Sequence, residues 1–296
     1  MKVFVTGATG FVGTAIVKDL IANGHQILGL ARSDASAQAL VAAGAEVHRG
    51  DLEDLDSLRS GAQQADGVIH AGFIHDFARF AQVCEVDKAA IQTIGKVLAG
   101  SNRPFIVTSG TALVNPGSLA TEDMTPNHEA LHFPRRSEET SDAVAELGVR
   151  TSVVRLSPSV HGEGDHGFVP ILINIAREKG FAAYIGEGNN LWTGVQRFDT
   201  GSLYRLALEK GTPKARFHGV AEEGIAFKDI AQSIGAHLNI PVKSISPEEA
   251  AAHFGWFAAF AAIDCPASSK LTRQKLGWEP TGVTLLEDMA QYYFKS

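Results

Sequence analysis

The chain opens on a short apolar run, Val3-Phe4-Val5, with no helical period, which predicts a buried strand. Thr6-Gly7-Ala8-Thr9-Gly10 breaks that run. From Phe11 to Asn23 the apolar positions Val12, Ile16, Val17, Leu20 and Ile21 fall on one helical face, and Gly24 supplies the stop. The alternation then repeats. Strands are predicted at Gln26 to Leu30, Glu46 to His48, Asp66 to His70, Phe105 to Thr108 and Arg150 to Leu156. Helices are predicted between them at Ser36 to Ala43, Leu55 to Ser60, Phe80 to Ala99 and Ser137 to Leu147. Such spacing implies an α/β fold with a Rossmann-type doubly wound parallel sheet. Residues 1–160 are expected to form a dinucleotide-binding domain, and residues 161–296 mainly a smaller substrate-binding region with some segments returning to the sheet.

The second half continues with helices over Phe168 to Lys179, Gly201 to Glu209, Ile225 to Leu238 and Pro247 to Trp256. Strands are predicted at Phe181 to Ile185 and Phe217 to Val220. Phe254, Trp256, Phe257 and Phe260 form an aromatic cluster suited to a core, a subunit contact or an apolar lid.

The first strand-to-helix turn carries glycines at 7, 10 and 13. Gly7 allows a sharp turn off the strand, Gly10 leaves the backbone open to a pyrophosphate, and Gly13 lets the helix pack close to the sheet. The helix dipole and the free N–H groups around Thr9, Phe11 and Val12 favour the anion. At the end of the second strand Arg32 offers a guanidinium to a 2′-phosphate and Ser33 can donate to it, which favours NADP, while Asp34 keeps NAD open. Asp51 can accept from an adenine amino group with Leu52 over the ring, and Asp51 can also cap the following helix. Ala71, Gly72 and Phe73 after the fourth strand leave room for phosphates and ribose, and His75 and Asp76 follow in a loop. Thr108, Leu156, Ser157 and Val160 border the cofactor at the ends of the fifth and sixth strands. Ser109 and Thr111 place hydroxyls at the carboxyl edge of the sheet, where ligands of such folds bind.

Composition narrows the function. The net charge of -7 gives no basic surplus for nucleic acid or an anionic membrane. No apolar run reaches membrane-spanning length. Cys84 and Cys265 make neither a disulfide framework nor a metal cluster. The chain runs from Met1 directly into a strand, which leaves no room for a cleavable leader, so a cytoplasmic protein is expected. The loop His161-Gly162-Glu163-Gly164-Asp165-His166-Gly167-Phe168 holds two histidines and two acids, but the irregular spacing points to a substrate-lining loop rather than a metal site.

TGATGFVG, ARS, GDLED, HAG, VTSG and VVRLSPSVHG, in this order, resemble the extended short-chain dehydrogenase/reductase superfamily, which includes the NAD-dependent epimerase/dehydratase proteins. Ser268-Ser269-Lys270-Leu271 through Leu276-Gly277-Trp278-Glu279-Pro280 is similar to the late helix and lGW-x-P signature of that superfamily. Val195-Gln196-Arg197-Phe198-Asp199 stands where its members have His-Val-Asp-Asp. The resemblance implies a Tyr-x-x-x-Lys pair on the helix after the fifth strand, with the lysine holding the nicotinamide ribose and the tyrosine moving a proton. None of the tyrosines Tyr184, Tyr204, Tyr292 and Tyr293 lies in that helix. One register puts Phe133 and Ser137 at the two positions; a shift of one puts His132 and Arg136 there, as general acid and ribose ligand. Tyr184 is a further candidate donor from the opposite wall, with Trp192 and Arg197 beside it in sequence.

Three functions follow. The first is an NADP-dependent carbonyl reductase of a small molecule, with Ser109 or Thr111 polarising the oxygen and His132 or Tyr184 as acid. The second is a non-catalytic NADP-binding regulator, which the missing pair favours. The third is epimerase or dehydratase chemistry, which normally needs the same pair. The resemblance also implies a homodimer through the helices Phe80 to Ala99 and Ser137 to Leu147.

Overall fold

A computed structural model describes residues 1–126 and 134–295. Its centre is a seven-stranded sheet in the order β10-β6-β5-β4-β1-β2-β3, in which each neighbouring pair is parallel. The strands are β1 (Lys2–Thr6), β2 (Gln26–Ala31), β3 (Glu46–Arg49), β4 (Gly67–His70), β5 (Pro104–Gly110), β6 (Arg150–Leu156) and β10 (Ala215–Gly219). The crossovers are helical: α1 (Phe11–Ala22), α2 (Asp34–Ala42), α3 (Leu55–Gln63), α4 (Phe80–Leu98) and α5 (Ser137–Ala145). This is the doubly wound α/β arrangement that the alternating pattern predicts.

The period of two along β1 divides its side chains between two cores. Val3 and Val5 pack with Ile16 and Leu20 of α1 and with Leu203 and Tyr204. Phe4 faces the other way, among Leu58, Ile91, Phe105 and Val153. Both layers are closed, so the central strands β1, β2 and β4 are mostly apolar runs rather than alternating ones, while the edge strand β3 is polar.

After β6 the chain leaves the sheet through β7 (Ser159–His161), α6 (Phe168–Lys179), β8 (Ala182–Ile185) and β9 (Leu191–Gln196). It returns through α7 (Arg197–Lys210) and β10, then continues as β11 (Glu222–Ala226), α8 (Phe227–Leu238), β12 (Val242–Ile245) and α9 (Pro247–Phe254). β11-β9-β7 and β12-β8 are two small separate sheets. They enclose another core, in which Val169, Trp192, Phe227, Ile230 and Phe257 are buried.

Helix α7 begins at Arg197, one turn before the predicted Gly201, because the Gln196 side chain accepts from the Phe198 amide (2.6 Å) and caps the new turn. Gly201 is nevertheless informative. A methyl group there would stand 2.6 Å from the Ala15 carbonyl oxygen, so glycine lets α7 close against α1. That approach sets Arg197 at the start of α7 beside Phe11 at the start of α1.

Candidate functional site

The site begins in the turn between β1 and α1. Gly7 adopts φ +68°, and a Cβ there would meet the backbone of Ala71 and Gly72 at 2.7–2.8 Å. Gly13 is held closer still: its Cβ would lie 1.9 Å from the Gly7 carbonyl oxygen. The Gly10 amide donates to Gly7 O (2.9 Å), and Gly10 caps α1 with no side-chain hydrogen bond and no acid in the first turn. The turn thus presents an uncapped helix end with its positive dipole, and only glycine fits its tightest points. These residues fit a dinucleotide diphosphate.

The turn is braced by a buried polar chain. Thr6 Oγ1 lies 2.8 Å from His70 Nδ1 and accepts from the Gly72 amide (3.2 Å). His70 Nε2 lies 3.2 Å from Asp87 Oδ1 on α4. Asp87 Oδ2 accepts from Ser137 Oγ (2.5 Å), and Ser137 Oγ accepts from Arg135 Nε (2.8 Å). Burial alone would raise the Asp87 carboxyl, but Arg135, then His70 and Ser137, hold it below the usual carboxylate range. Arg135 also donates to the Thr108 carbonyl (2.9 Å) at the end of β5 and lies 4.4 Å above the Phe73 ring. The chain therefore fixes a guanidinium at the carboxyl edge of β4 and β5.

His75 follows Phe73 and packs edge-on against it at 5.5 Å. Its neighbours desolvate the imidazole and, with Arg135 and His166, hold it below its ordinary value. His166 comes from the loop after β7 and meets the Phe11 ring edge-on at 5.9 Å. Phe11, Phe73, His75, Arg135 and His166 thus gather beside the glycine turn at the carboxyl edge of the sheet.

The remaining predicted cofactor residues distribute as follows. Thr9, Phe11 and Val12 are half-buried in the turn and first helical turn. Arg32 is exposed at the end of β2 and makes no ion pair among the described residues, whereas Arg49 pairs with Asp34. Ser33 caps α2, accepting from the Ser36 amide (3.1 Å). Asp51 accepts from the Glu53 amide (3.0 Å), and the cap of α3 is Asp54, not Asp51. Leu52 reaches Gly72, where an added Cβ would lie 3.2 Å from its Cδ2. Ala71 is half-buried beside Gly72. Thr108 Oγ1 donates to His70 O (2.8 Å) and lies 2.7 Å from Tyr204 Oη. Ser157 donates to Gly219 O (2.8 Å), and Leu156 and Val160 pack beside the first core.

The predicted catalytic residues do not converge. Ser109 is buried, and its hydroxyl bonds to Glu138 on α5. Burial would raise Glu138, but Arg155, with Ser109 and Arg216, holds it below the usual range. Thr111 is buried, 3.1 Å from Thr193 Oγ1. Tyr184 sits on β8, beside the core that the small sheets enclose, with Gly188 against its ring. His132 and Phe133 lie outside the described residues. Arg136 turns toward Glu139 (3.5 Å), while its neighbour Arg135 turns to the end of β5. His161 is buried against Asp288 (2.6 Å), so the two histidines of its loop point to different places.

Sequence reasoning missed Arg135, Tyr204 and the position of Arg197. The Arg197 guanidinium stacks 5.1 Å from the Phe11 ring and 4.6 Å from that of Phe198. Only the Gly201 spacing, which brings α7 onto α1, signals it in advance.

The model of the NAD-dependent epimerase/dehydratase family matches residues 3–116, the region that carries the glycine turn, Arg32, Asp51, Phe73 and Ser109. An uncharacterised protein of Schizosaccharomyces pombe is 50% identical over 292 residues, covering 98% of each chain. The 4-hydroxy-2-methyl-3-oxo-4-farnesyl-3,4-dihydroquinoline-1-oxide ketoreductase of Stigmatella aurantiaca is 28% identical over 312 residues, covering 98% of this chain and 90% of its own. The fold is also that of a dTDP-glucose 4,6-dehydratase from Streptomyces venezuelae solved with NAD, with a TM-score of 0.77 at 17% identity over 99% of this chain and 96% of that one. Among the described residues no helix is long and apolar enough to cross a membrane.

Proposed function

The chain belongs to the NAD-dependent epimerase/dehydratase family, a branch of the extended short-chain dehydrogenases/reductases, and on that premise we propose that it is an NADPH-dependent carbonyl reductase of a small molecule. The observation that carries the reading is the meeting, at one carboxyl edge of the sheet, of the uncapped glycine turn with the fixed Arg135 guanidinium and the imidazoles of His75 and His166. The similarity to a ketoreductase points the same way.

NADPH supplies the hydride when bound. The chain does the rest. The glycine turn opens the start of α1, whose uncapped amides face the diphosphate. Arg32 takes the 2′-phosphate, supported by the engagement of Asp34 with Arg49, which leaves that carboxylate less able to repel it. Arg135 favours negative charge on the substrate oxygen, and its bonds to Ser137 and Thr108 keep it in place without reorganisation. An imidazole, His75 or His166, delivers the proton that the absent tyrosine would otherwise move. The depressed basicity of His75 makes it a stronger acid once protonated.

A non-catalytic NADP-binding regulator is the second reading. It is favoured by the engagement of Ser109 with Glu138 and of Thr111 with Thr193, since neither hydroxyl is then available to a substrate. One experiment separates the two: titration with NADPH and NADH by fluorescence, then a panel of aldehydes and ketones with reduced-cofactor absorbance as readout. Carbonyl-dependent oxidation is expected. Tight NADPH binding with no turnover across the panel would make the protein a regulator.

A further inference from the structure

We propose that Arg197 is an anion-binding residue of the cofactor site, and that its guanidinium takes the dinucleotide diphosphate together with the amides at the start of α1. The inference rests on the reading of the glycine turn as a dinucleotide site, not on the reductase chemistry.

The argument is electrostatic. Arg197 is half-buried between the rings of Phe11 and Phe198, at 5.1 and 4.6 Å. Its Nε is buried and has no hydrogen-bond partner. Among the described residues the guanidinium makes no ion pair, and Asp199, two residues on, and Asp165, in the loop that starts at Gly162, are hydrogen-bonded elsewhere. Asp199 accepts from the amides of Thr281 (3.0 Å) and Gly282 (2.9 Å). Asp165 accepts from Tyr293 Oη (2.6 Å) and the Gly167 amide (2.7 Å). A cation with a desolvated, unmatched nitrogen is costly to hold in a fold.

The neighbouring charge raises that cost. Phe11 opens α1, whose end has no side-chain cap and no acid in its first turn. The positive end of a helix and a guanidinium stacked on its first residue repel one another until an anion lies between them. A diphosphate is such an anion, and guanidinium geometry suits it.

The placement is built rather than incidental. Gly201 allows α7 to approach α1, with an added Cβ at 2.6 Å from Ala15 O. Gly162, at φ +140°, leaves room for the Arg197 stem, whose Cγ would lie 3.4 Å from an added Cβ.

The test compares wild type, Arg197→Met and Arg197→Lys in binding NADPH, inorganic pyrophosphate and adenosine 2′-monophosphate. Methionine keeps an apolar stem on Phe11 without charge. NADPH and pyrophosphate should bind Arg197→Met about 10- to 100-fold more weakly, with lysine restoring part of the loss. The wild type should also lose NADPH affinity more steeply with added salt than Arg197→Met does. Adenosine 2′-monophosphate, which lacks the diphosphate, should bind all three proteins alike. Unchanged NADPH and pyrophosphate binding in Arg197→Met would reduce Arg197 to a stacking residue and overturn the proposal. An equal loss for adenosine 2′-monophosphate would overturn it too, by showing a general distortion. A wild type that binds NADPH but oxidises it with no carbonyl would sink the reductase reading and leave this inference standing.

Discussion

At the scale of single residues, the groups legible in the sequence are those whose role is set by the backbone beside them. The three glycines needed only their spacing after a strand, and the 1.9 Å at which a Cβ on Gly13 would meet the Gly7 carbonyl oxygen is the physical content of that spacing. Arg32 stands just past the end of β2, where its place in the sequence puts it. The 2′-phosphate contact proposed for it gives a direct prediction. Arg32→Ala should weaken NADPH binding about tenfold, the size of one charge-assisted contact, and leave NADH nearly unchanged. Parallel fluorescence titrations would check this, and an equal loss for both cofactors would remove Arg32 from the 2′-phosphate site. Residues whose partners come from far along the chain were not legible. Ser109 lies at the strand end as expected, but Glu138, on the helix after β5, takes its hydroxyl. Arg135 and Arg136 are adjacent, and only tertiary packing decides which of them turns inward.

At the scale of elements, length decided legibility. β6 and α6 match their predicted bounds, and the long helices α4 and α8 end within two residues of theirs. β7, β9, β11 and β12 are not legible as strands, because a run such as Leu191–Gln196, interrupted by Thr193 and Gly194, has too few apolar positions to show a period. What locks the legible elements together is a buried polar cluster. Arg155 on β6 is fully buried and bidentate to Glu138 on α5, at 2.8 and 2.7 Å. It also donates to His218 Nε2 on β10 (3.1 Å), and His218 Nδ1 donates to Ser268 O (2.7 Å). Burial, then Arg155, push the His218 imidazole down to about 4 from 6.5, against the opposing pull of Glu122 and Glu138. A folded value below the unfolded one means the neutral form is preferred in the native state. The contribution is therefore complete above about pH 6.5 and is lost as pH falls toward about 4, because the unfolded chain takes up the proton first. His75 and His253 shift in the same direction, so the comparison must be between variants. His218→Gln should lose less stability between pH 7 and pH 5 than wild type in urea denaturation. Identical losses would show that His218 does not govern the acid limb.

At the scale of the whole molecule, the C-terminal end returns to hold the loop before His166. His161 Nδ1 donates to Asp288 Oδ2 (2.6 Å), so β7 is tied to the last helical segment. Tyr293 donates to Asp165 Oδ2 (2.6 Å) and accepts from the Gly162 amide (3.2 Å), which clamps both ends of the turn Gly162–Asp165. Burial raises the Asp165 carboxyl, and the bond from Tyr293 works against that rise. The loop carries His166 to Phe11, so a residue near the end of the chain positions a side chain over the first helix. Nothing in the sequence announces this coupling, because the partners are separated by 128 positions. Tyr293→Phe tests it with little loss of packing, since only the hydroxyl is removed. The substitution leaves Asp165 short of a donor and Gly162 short of an acceptor, a local cost of about 1–2 kcal/mol. Amide hydrogen exchange in Gly162–Gly167 should accelerate about tenfold, while β1 and β5 exchange as in the wild type. If the loop positions His166 for the proposed chemistry, turnover with the best carbonyl of the panel should fall while NADPH affinity stays close to wild type. Unchanged exchange in the loop would show that the C-terminal tyrosine does not hold it.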